Sequence, residues 1–344
     1  MADKNHFSDI LAMLVEGRNL PEDAIFAALD GILSGKWTMA QTAAFLTAMK
    51  IKGETPDELS AAARALRIKA TPLPPISDKN AIDVCGTGGD GIGTFNISTA
   101  AAFVAAGAGA TVAKHGNRAV SSTSGSSDIL AKLGMPLDLS PAAVAECINN
   151  IGIGFMFAPN HHPAMKHVAG VRRELGTRTM FNLLGPLINP AGVGRQLIGV
   201  FSPDLLIPYA KTLAALGNTR SMVVHGDGLD EITIAGESEI AEIKDGAVIR
   251  YTIKPEDVGL SSASLSGLLV SSVEESEAIF LAVLEGEKGA ARDIVLLNAA
   301  AALLVADWAK DFPDAVSQAA AAIDQGTAKE KLNAFLRHVK SDRE

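Results

Sequence analysis

The stretch that decides the fold is DVCGTGGDGIGTFNIST, residues 83–99. A short apolar segment over Ala81–Cys85 predicts a strand before it, and an alanine-rich segment over Ala100–Ala106 predicts a helix after it. The connection between them contains Gly86, Gly88, Gly89, Gly91 and Gly93. Glycine has no Cβ, so such a backbone can wrap closely round an anion and direct several N–H groups at it. The stretch therefore predicts a phosphate-binding loop at the start of a helix.

Three other interpretations of this loop fit less well. Gly86, Gly88 and Gly91 satisfy the dinucleotide pattern GxGxxG, which also requires an acidic residue about 20 residues further on. The predicted second strand, Thr111–Ala113, is instead followed by the basic and polar run KHGNR, residues 114–118. A tight turn without a ligand needs only one or two glycines. The P-loop pattern is absent, so phosphate binding is the favoured interpretation.

Composition indicates a folded protein with an acidic surface. The 344 residues are 48% hydrophobic, which is enough for one large or two smaller domains, and the net charge of −9 disfavours a general nucleic-acid surface. Cys85 and Cys147 lie among apolar residues, which indicates a reducing compartment and no disulfide framework. The longest apolar run, Ile294–Ala306, is too short to span a bilayer. We expect a cytoplasmic protein that binds neither nucleic acid nor membranes.

The chain divides into a helical part and an α/β part. Apolar residues recur at helical spacing through the first seventy positions, and capping boxes at Thr38 and Thr55 predict two helix starts. We expect a helical domain over residues 1–74, completed by about residues 160–190. Strand and helix patterns alternate after residue 81, which predicts parallel strands in an α/β domain over residues 75–159 and 191–344. Asp245-Gly246 predicts a hairpin between Glu239–Lys244 and Ala247–Ile253.

A second polar cluster, KHGNRAVSSTSGSSD, occupies residues 114–128. It contains two fixed cations, an amide and several hydroxyl groups after a predicted strand, at the sheet edge where ligands collect. Lys114 and Arg118 can neutralise a phosphate, and serines before a helix can donate hydrogen bonds to it. A flexible serine-rich linker is the alternative, although a helix-forming segment follows at once.

Two further clusters carry opposite charge. HGDGLDE, residues 225–231, places adjacent carboxylates after a strand, and such groups are suitable ligands for Mg²⁺ that bridges to a substrate phosphate. A charged surface turn is the alternative. Residues 166–182 include Arg172 and Arg173 on a predicted helix, and one of them can hold a carboxylate through two hydrogen bonds. A solvated helix face is equally compatible with that spacing.

Taken together, the motifs closely resemble those of the anthranilate phosphoribosyltransferase family. They are CGTGGD at 85–90, NIST at 96–99, KHGNR at 114–118, VRRELGTRTMFN at 171–182 and DGLDE at 227–231. The resemblance covers nearly the whole chain and implies a nucleoside phosphorylase/phosphoribosyltransferase-like α/β fold. This fold has a small all-helical N-terminal domain and a larger α/β domain with a mainly parallel central sheet. The resemblance also implies a homodimer, with the active site between the two domains.

The implied reaction joins anthranilate to 5-phosphoribosyl 1-pyrophosphate in tryptophan biosynthesis, giving N-(5-phosphoribosyl)anthranilate and pyrophosphate. Matching positions imply that the phosphoribosyl donor is bound by Gly86, Gly89, Asp90, Thr94, Asn96, Ile97, Ser98, Thr99, Lys114, His115, Gly116, Asn117, Arg118, Ala119, Val120, Ser121, Ser122 and Ser126. They imply that anthranilate is bound by Gly86, Asn117 and Arg172, and that two Mg²⁺ ions per subunit are bound by Ser98, Asp230 and Glu231. The implied catalytic residues are Lys114, Asn117 and Arg172.

The chemistry of the residues agrees with this reaction. Departing pyrophosphate accumulates negative charge, which Mg²⁺ and Lys114 can stabilise, and the neutral aromatic amine needs positioning more than deprotonation. His115 is the nearest base, although a hydrogen-bonding role suits it better. Ser127 departs from the alanine that we expect more often in this family, and we expect little effect from it. The alternatives are a pyrimidine nucleoside phosphorylase-like enzyme and a non-catalytic relative that binds nucleic acid.

Overall fold

Residues 7–68 form a bundle of four helices, as the apolar spacing predicts. The computed structural model describes residues 6–118 and 123–341. Both predicted capping boxes are present, because the Gln41 amide donates to Thr38 Oγ1 and the Glu58 amide donates to Thr55 Oγ1, each at 3.2 Å. The helices are α1 Phe7–Val15, α2 Glu22–Leu33, α3 Met39–Lys52 and α4 Pro56–Ile68.

A mainly parallel sheet follows the bundle. Its strands are β1 Asp83–Gly86, β2 Val112–Gly116, β3 Ile153–Phe157, β4 Arg195–Gly199, β5 Arg220–Gly226, β6 Ser238–Lys244 and β7 Ala247–Ile253. The order is β3-β2-β1-β4-β5-β6-β7, and one parallel bridge between Ile82 and Val112 joins the β2-β3 pair to the rest. Strands β1 to β5 run parallel, whereas β6 and β7 form the predicted antiparallel hairpin. The predicted fold class is confirmed.

Helices cover both faces of the sheet. After the bundle, the helices are α5 Ile97–Gly107, α6 Ser126–Lys132, α7 Pro141–Ile151, α8 Ala158–His161, α9 Lys166–Leu175, α10 Met180–Leu184, α11 Leu206–Ala215, α12 Val273–Leu284, α13 Ala290–Val305, α14 Phe312–Asp324 and α15 Thr327–Ser341. The apolar run at 294–306 lies largely in the buried helix α13. Within the described ranges, no helix has the length and apolar character needed to cross a membrane.

Alternate residues of the central strands face two different cores. Val84, Leu197 and Met222 pack with α5, α13, α14 and α15, whereas Ile198 and Val223 pack with α11 and the bundle. This alternation follows from the period of two along a strand. The two cores hold the bundle against one face of the sheet and the α5 layer against the other.

Helices α9 and α10 pack on the bundle, although they lie far from it in the sequence. Helix α9 contacts α2 and α3, and α10 contacts α3 and α4. Two polar contacts join the same regions: Arg67 Nε donates to the Leu187 carbonyl at 2.8 Å, and Lys50 Nζ donates to Thr177 Oγ1. These contacts favour a helical domain completed by residues from about 160–190, and the exact domain boundaries remain a prediction.

Strand β2 is longer than the sequence indicates. The pattern predicts a strand over Thr111–Ala113 and a loop from Lys114, whereas the strand runs from Val112 to Gly116. Lys114 and His115 are buried in it, at 3% and 6% exposure. Polar residues are poor signals of a buried strand, and they are tolerated here because protein groups supply their hydrogen bonds.

Ser127 and Ser140 provide a paired test of hydrogen bonding at helix starts. Ser127 is buried in the first turn of α6, and its Oγ has no hydrogen-bond partner among the described residues. Ser140 is exposed, and its Oγ accepts from the Ala143 amide at 3.1 Å as the N-cap of α7. Ser127→Ala should therefore raise the free energy of unfolding by about 1 kcal/mol, and Ser140→Ala should lower it by about 1 kcal/mol.

Denaturant unfolding of the two variants and the parent protein measures both changes. Equal destabilisation by the two substitutions would contradict the assignment of an unpartnered hydroxyl at Ser127.

Candidate active site

A cleft of about 600 Å³ opens at the carboxyl ends of the parallel strands. One wall is formed by the glycine-rich loop, the end of β2 and the start of α6, and the other is formed by residues of α9 and α10. Crevices at this edge of a parallel sheet are the usual ligand sites of α/β proteins. The cleft is therefore the candidate active site.

The glycine-rich loop has the backbone conformation that its composition predicts. Gly88, Gly89, Gly91 and Gly93 have φ angles of 67°, 79°, 79° and 81°, which L-residues with a Cβ rarely adopt. The Arg178 guanidinium donates to the Gly89 carbonyl and stacks on the Phe201 ring, with Cζ 4.0 Å from the ring centroid. The stacking of the Arg178 guanidinium on the Phe201 ring thus holds Arg178 in place where it donates to the loop.

The loop is also tied to a segment that the sequence analysis did not single out. The Phe95 amide donates to the Leu268 carbonyl, and the Val270 amide donates to the Gly93 carbonyl, both at 2.9 Å. These bonds pair the end of the loop with residues 268–270 by antiparallel contacts. The pairing fixes the direction in which the chain enters α5.

Asp230 and Glu231, in the turn that follows β5, hold the glycine-rich loop. Asp230 Oδ2 accepts from the Gly88 amide at 2.7 Å, and Glu231 Oε1 accepts from the Ser98 amide at 3.1 Å. The approach is close, because a Cβ at Gly86 would lie 2.5 Å from Asp230 Oδ2, and one at Gly199 would lie 1.5 Å from the Asp230 carbonyl. Glycine is therefore required at the ends of both β1 and β4.

Both carboxyl groups resist ionisation in this position. Loss of hydration raises the pKa of Asp230, and the neighbouring Asp90 carboxylate raises it further. Loss of hydration and the Asp230 charge likewise raise the pKa of Glu231. Clustered acids of this kind are stabilised by a bound cation. In the part of the chain that the structure describes, no three His, Cys, Asp or Glu side chains form a complete metal site.

Lys114 supplies the positive charge on the same wall. Its Nζ donates to the Val84 carbonyl and lies 3.4 Å from Ser98 Oγ. Burial lowers the pKa of Lys114, and the carboxylates of Asp83 and Glu231 oppose this shift. An ammonium group therefore lies between the glycine-rich loop and the acid pair.

Asn96 connects three parts of the wall that contains the glycine-rich loop. Its Oδ1 accepts from Ser124 Oγ at 2.8 Å and from Ser276 Oγ at 2.7 Å, while its Nδ2 donates to the Ser124 carbonyl at 3.1 Å. Its side chain makes no hydrogen bond that caps α5. Asn96 therefore joins the glycine-rich loop to the segment before α6 and to α12.

His115 and His162 form a buried pair beside the cleft. Their rings meet edge to face with centroids 5.2 Å apart. Burial is the main reason that the pKa of His115 lies well below its ordinary range and that the pKa of His162 falls to about 4. Both imidazoles are thus neutral at physiological pH, and each can donate or accept one hydrogen bond.

Arg172 reaches the cleft from the opposite wall. It lies in the last turn of α9, and its Cζ is 5.9 Å from the centroid of the Phe181 ring. The side chain is half-buried, and burial lowers its pKa from the ordinary arginine value. A cation beside an aromatic ring can bind a planar aromatic carboxylate.

The structure brings the described candidate residues into this one cleft. Its lining includes Gly86, Gly89, Asp90, Thr94, Asn96, Ile97, Ser98, Thr99, Lys114, His115, Gly116, Asn117, Arg118, Ser126, Arg172, Asp230 and Glu231. The remaining candidates, Ala119, Val120, Ser121 and Ser122, lie outside the described residues. The roles of all these residues in binding and catalysis remain predictions.

Several residues at the site were not identified from the sequence. His162 gave a weak signal as one of two adjacent histidines, and Arg178 was noted only as part of the motif at 171–182, without a role of its own. Asp83 and Ser276 gave no signal, because they lie within apolar or helical segments and act through partners distant in the chain.

Comparison with known proteins identifies the family. Residues 8–70 match the helical bundle domain of a glycosyl transferase family, and residues 78–329 match its a/b domain. The anthranilate phosphoribosyltransferase of Moorella thermoacetica is 52% identical over 96% of this chain and 98% of its own length.

Solved structures agree with the sequence relatives. The anthranilate phosphoribosyltransferase of Thermus thermophilus superimposes with a TM-score of 0.91 at 42% identity, covering 96% of this chain and 99% of that one. The Saccharomyces cerevisiae enzyme in complex with PRPP and Mg has a TM-score of 0.85 at 28% identity, covering 98% and 94%. The yeast enzyme has also been solved with 4-fluoroanthranilate.

The predicted family and the predicted enzyme class, a pentosyltransferase, are confirmed by these relatives. This chain belongs to the anthranilate phosphoribosyltransferase family.

Proposed function

We propose that this cleft transfers the phosphoribosyl group of 5-phosphoribosyl 1-pyrophosphate to the amine of anthranilate. The products are N-(5-phosphoribosyl)anthranilate, an intermediate of tryptophan biosynthesis, and pyrophosphate. The observation that carries the proposal is the attachment of the acid pair to the phosphate loop, through the Gly88 and Ser98 amides. A phosphate loop and carboxylates on one wall suit a phosphorylated substrate that binds with Mg²⁺.

The donor occupies the wall formed by the glycine-rich loop and the end of β2. The backbone of residues 86–94 contacts the phosphates, and Lys114 neutralises charge on the leaving group. Ser126 contributes a hydroxyl group at the start of α6. Its Oγ lies close to Gly116, because a Cβ added to Gly116 would lie 2.2 Å from it. That close contact keeps the serine against the strand end.

Mg²⁺ fits the oxygen atoms at the acid pair. Asp230, Glu231 and Ser98 are hard oxygen donors, and the raised pKa values of the two carboxyl groups indicate that a cation would stabilise their ionised forms. Two carboxylates are enough, because protein-bound Mg²⁺ commonly completes its coordination with substrate phosphates and water. We propose two ions per subunit, and the PRPP and Mg complex of the yeast relative supports the use of this metal.

Anthranilate occupies the opposite wall. Arg172 holds its carboxylate, the Phe181 ring lies beside Arg172, and Asn117 and Gly86 line the space between donor and acceptor. Support comes from the yeast relative, which was solved with 4-fluoroanthranilate. Arg172 therefore binds the acceptor, whereas Lys114 neutralises the leaving group of the donor.

The reaction depends on position and charge. When bound, Mg²⁺ neutralises the charge that develops on the leaving pyrophosphate. Lys114 adds a fixed ammonium on the same side, and Arg172 orients the neutral amine toward the ribose carbon. The His115 imidazole is neutral and enclosed, so it is available to hydrogen-bond near the acceptor without first losing a proton.

We also propose that the protein is a homodimer that assembles through the helical domain. Exposed large apolar side chains occur on the bundle at Val15, Met39, Ile51 and Ile68, with exposures of 76%, 52%, 81% and 74%. A partner subunit that covered these side chains would remove them from water, which is favourable for association. The cytoplasmic location expected from the sequence stays a prediction.

Arg172→Ala tests the acceptor site. Losing a charge-assisted hydrogen bond should raise KM for anthranilate by roughly 10- to 100-fold while KM for the phosphoribosyl donor changes little. Arg173→Ala is the matched control, since Arg173 is the exposed neighbour on the same helix. Chromatographic measurement of product gives both constants. Absence of product from the parent protein would refute the proposed function, and nucleoside phosphorolysis would be tested next.

Asp230→Asn separates metal binding from stability. The amide keeps an acceptor for the Gly88 amide and removes repulsion within the acid cluster, so unfolding without Mg²⁺ should occur at an equal or higher temperature. Turnover at saturating Mg²⁺ should fall by roughly 100-fold or more. Asp227→Asn, on the exposed part of the same turn, is the control. Full activity of Asp230→Asn would exclude Asp230 as a metal ligand.

Light scattering tests the dimer. The 35.6 kDa chain should have twice that mass in solution. Ile51→Glu should shift the protein toward the monomer, because it places a charge in the proposed interface, whereas Ile249→Glu on β7 should not. A parent protein of single-chain mass at micromolar concentration would contradict the proposal.

A further inference from the structure

Strands β1 and β2 pair at only one end. The Ile82 amide donates to the Thr111 carbonyl at 2.9 Å, and the Ala113 amide donates to the Ile82 carbonyl at 2.8 Å. Beyond this point β1 continues in register with β4, and β2 continues in register with β3, without a further bridge between them in the described part of the chain. The two neighbouring strands therefore separate toward the cleft.

The groups that should form the next ladder bond are both used by side chains. Two residues further along a parallel ladder, the His115 amide would donate to the Val84 carbonyl. Instead, the His115 amide donates to Asp83 Oδ1 at 3.1 Å, and the Val84 carbonyl accepts from Lys114 Nζ. Asp83, the neighbour of Val84, thus supplies the acceptor that the His115 amide lacks. Lys114, the neighbour of His115, supplies the donor that the Val84 carbonyl lacks.

A third side chain closes the same gap. Asn189 Nδ2 donates to the Ala113 carbonyl at 2.9 Å, and this group would otherwise face β1. Asp83, Lys114 and Asn189 are each at most 3% exposed. Asp83 Oδ2 also accepts from Gln196 Nε2 at 3.4 Å, which joins the carboxylate to β4. The gap is therefore filled by polar groups with definite partners.

The open seam determines where the Lys114 ammonium lies. If the strands paired fully, the Val84 carbonyl would accept from the His115 amide, which would compete with Lys114 Nζ for that oxygen. The ammonium could then leave Ser98, which is 3.4 Å away and lines the cleft. Asp83 prevents full pairing, because its carboxylate occupies the His115 amide, and its negative charge attracts the buried ammonium.

We propose that Asp83, together with Asn189, is a positioning residue that holds the seam between β1 and β2 open, so that Lys114 is presented to the phosphoribosyl donor. This inference rests on the proposed function. Asp83 does not line the cleft, so its effect on the reaction passes through Lys114.

Asp83→Asn removes the charge and sets an amide N–H against the Gln196 donor. Because the charge-assisted contact of Lys114 with the donor would be lost, affinity for 5-phosphoribosyl 1-pyrophosphate with Mg²⁺ should fall roughly 10- to 100-fold. Affinity for anthranilate should change less than about twofold, which general damage to the cleft would not allow. Calorimetry measures both, and Asp78→Asn on the exposed turn before β1 is the matched control.

A double-mutant cycle with Lys114→Gln tests whether Asp83 acts on donor binding through Lys114. If Asp83 acts through Lys114, Asp83→Asn should change donor affinity by less than about twofold in the Lys114→Gln background. Additive losses, or a donor affinity in Asp83→Asn equal to the control, would overturn the inference. If Asp83→Asn does not fold, the cycle is run with Asn189→Ala, and additive losses there overturn it. Failure of the parent protein to bind the donor would instead refute the proposed function.

Discussion

The site depends on two backbone amides that hold two carboxylates. Asp230 accepts from Gly88 and Glu231 accepts from Ser98, so acidic groups lie against a loop built to bind anions. This contact removes the carboxyl groups from water and brings like charges together, and both effects raise the pKa values of the two groups. A bound cation opposes this shift. The arrangement therefore couples occupation of the site to stability, because a ligand that binds only the folded chain stabilises it.

Local signals explain why much of the fold was predictable. Capping boxes at Thr38 and Thr55 act over three residues, and Asp245-Gly246 sets a hairpin within a few residues, so the sequence contains the whole interaction. The glycine-rich loop is similar, since four of its five glycines have positive φ angles that their composition anticipates. The motif residues then meet in one cleft because parallel strands bring their carboxyl ends to one edge.

The unpredicted features depend on partners far along the chain. In the sequence, Asp83 is an isolated acidic residue in an apolar strand. Its partners, the His115 amide and the Gln196 side chain, become known only from the structure. Ser276 is an ordinary helix residue in the sequence, and its hydrogen bond to Asn96, 180 positions earlier, is seen only in the structure. The end of β2 was misplaced for the same reason, since Lys114 is tolerated in a buried strand only where a neighbouring strand leaves a carbonyl for it.

The two walls of the cleft are built differently, and the difference matches the chemistry. The wall proposed to bind the donor is backbone, fixed by glycine conformations and by carboxylates bonded to amides. Such a wall suits a charged substrate whose leaving group must be neutralised within a narrow geometry. The wall proposed to bind the acceptor presents side chains on α9 and α10, which pack on the bundle. A neutral amine needs only orientation, so a guanidinium beside an aromatic ring is sufficient there. Contacts such as Lys50 with Thr177 and Arg178 with Gly89 join the bundle to the glycine-rich loop, so the packing of the bundle against the sheet sets the distance between the two walls of the cleft.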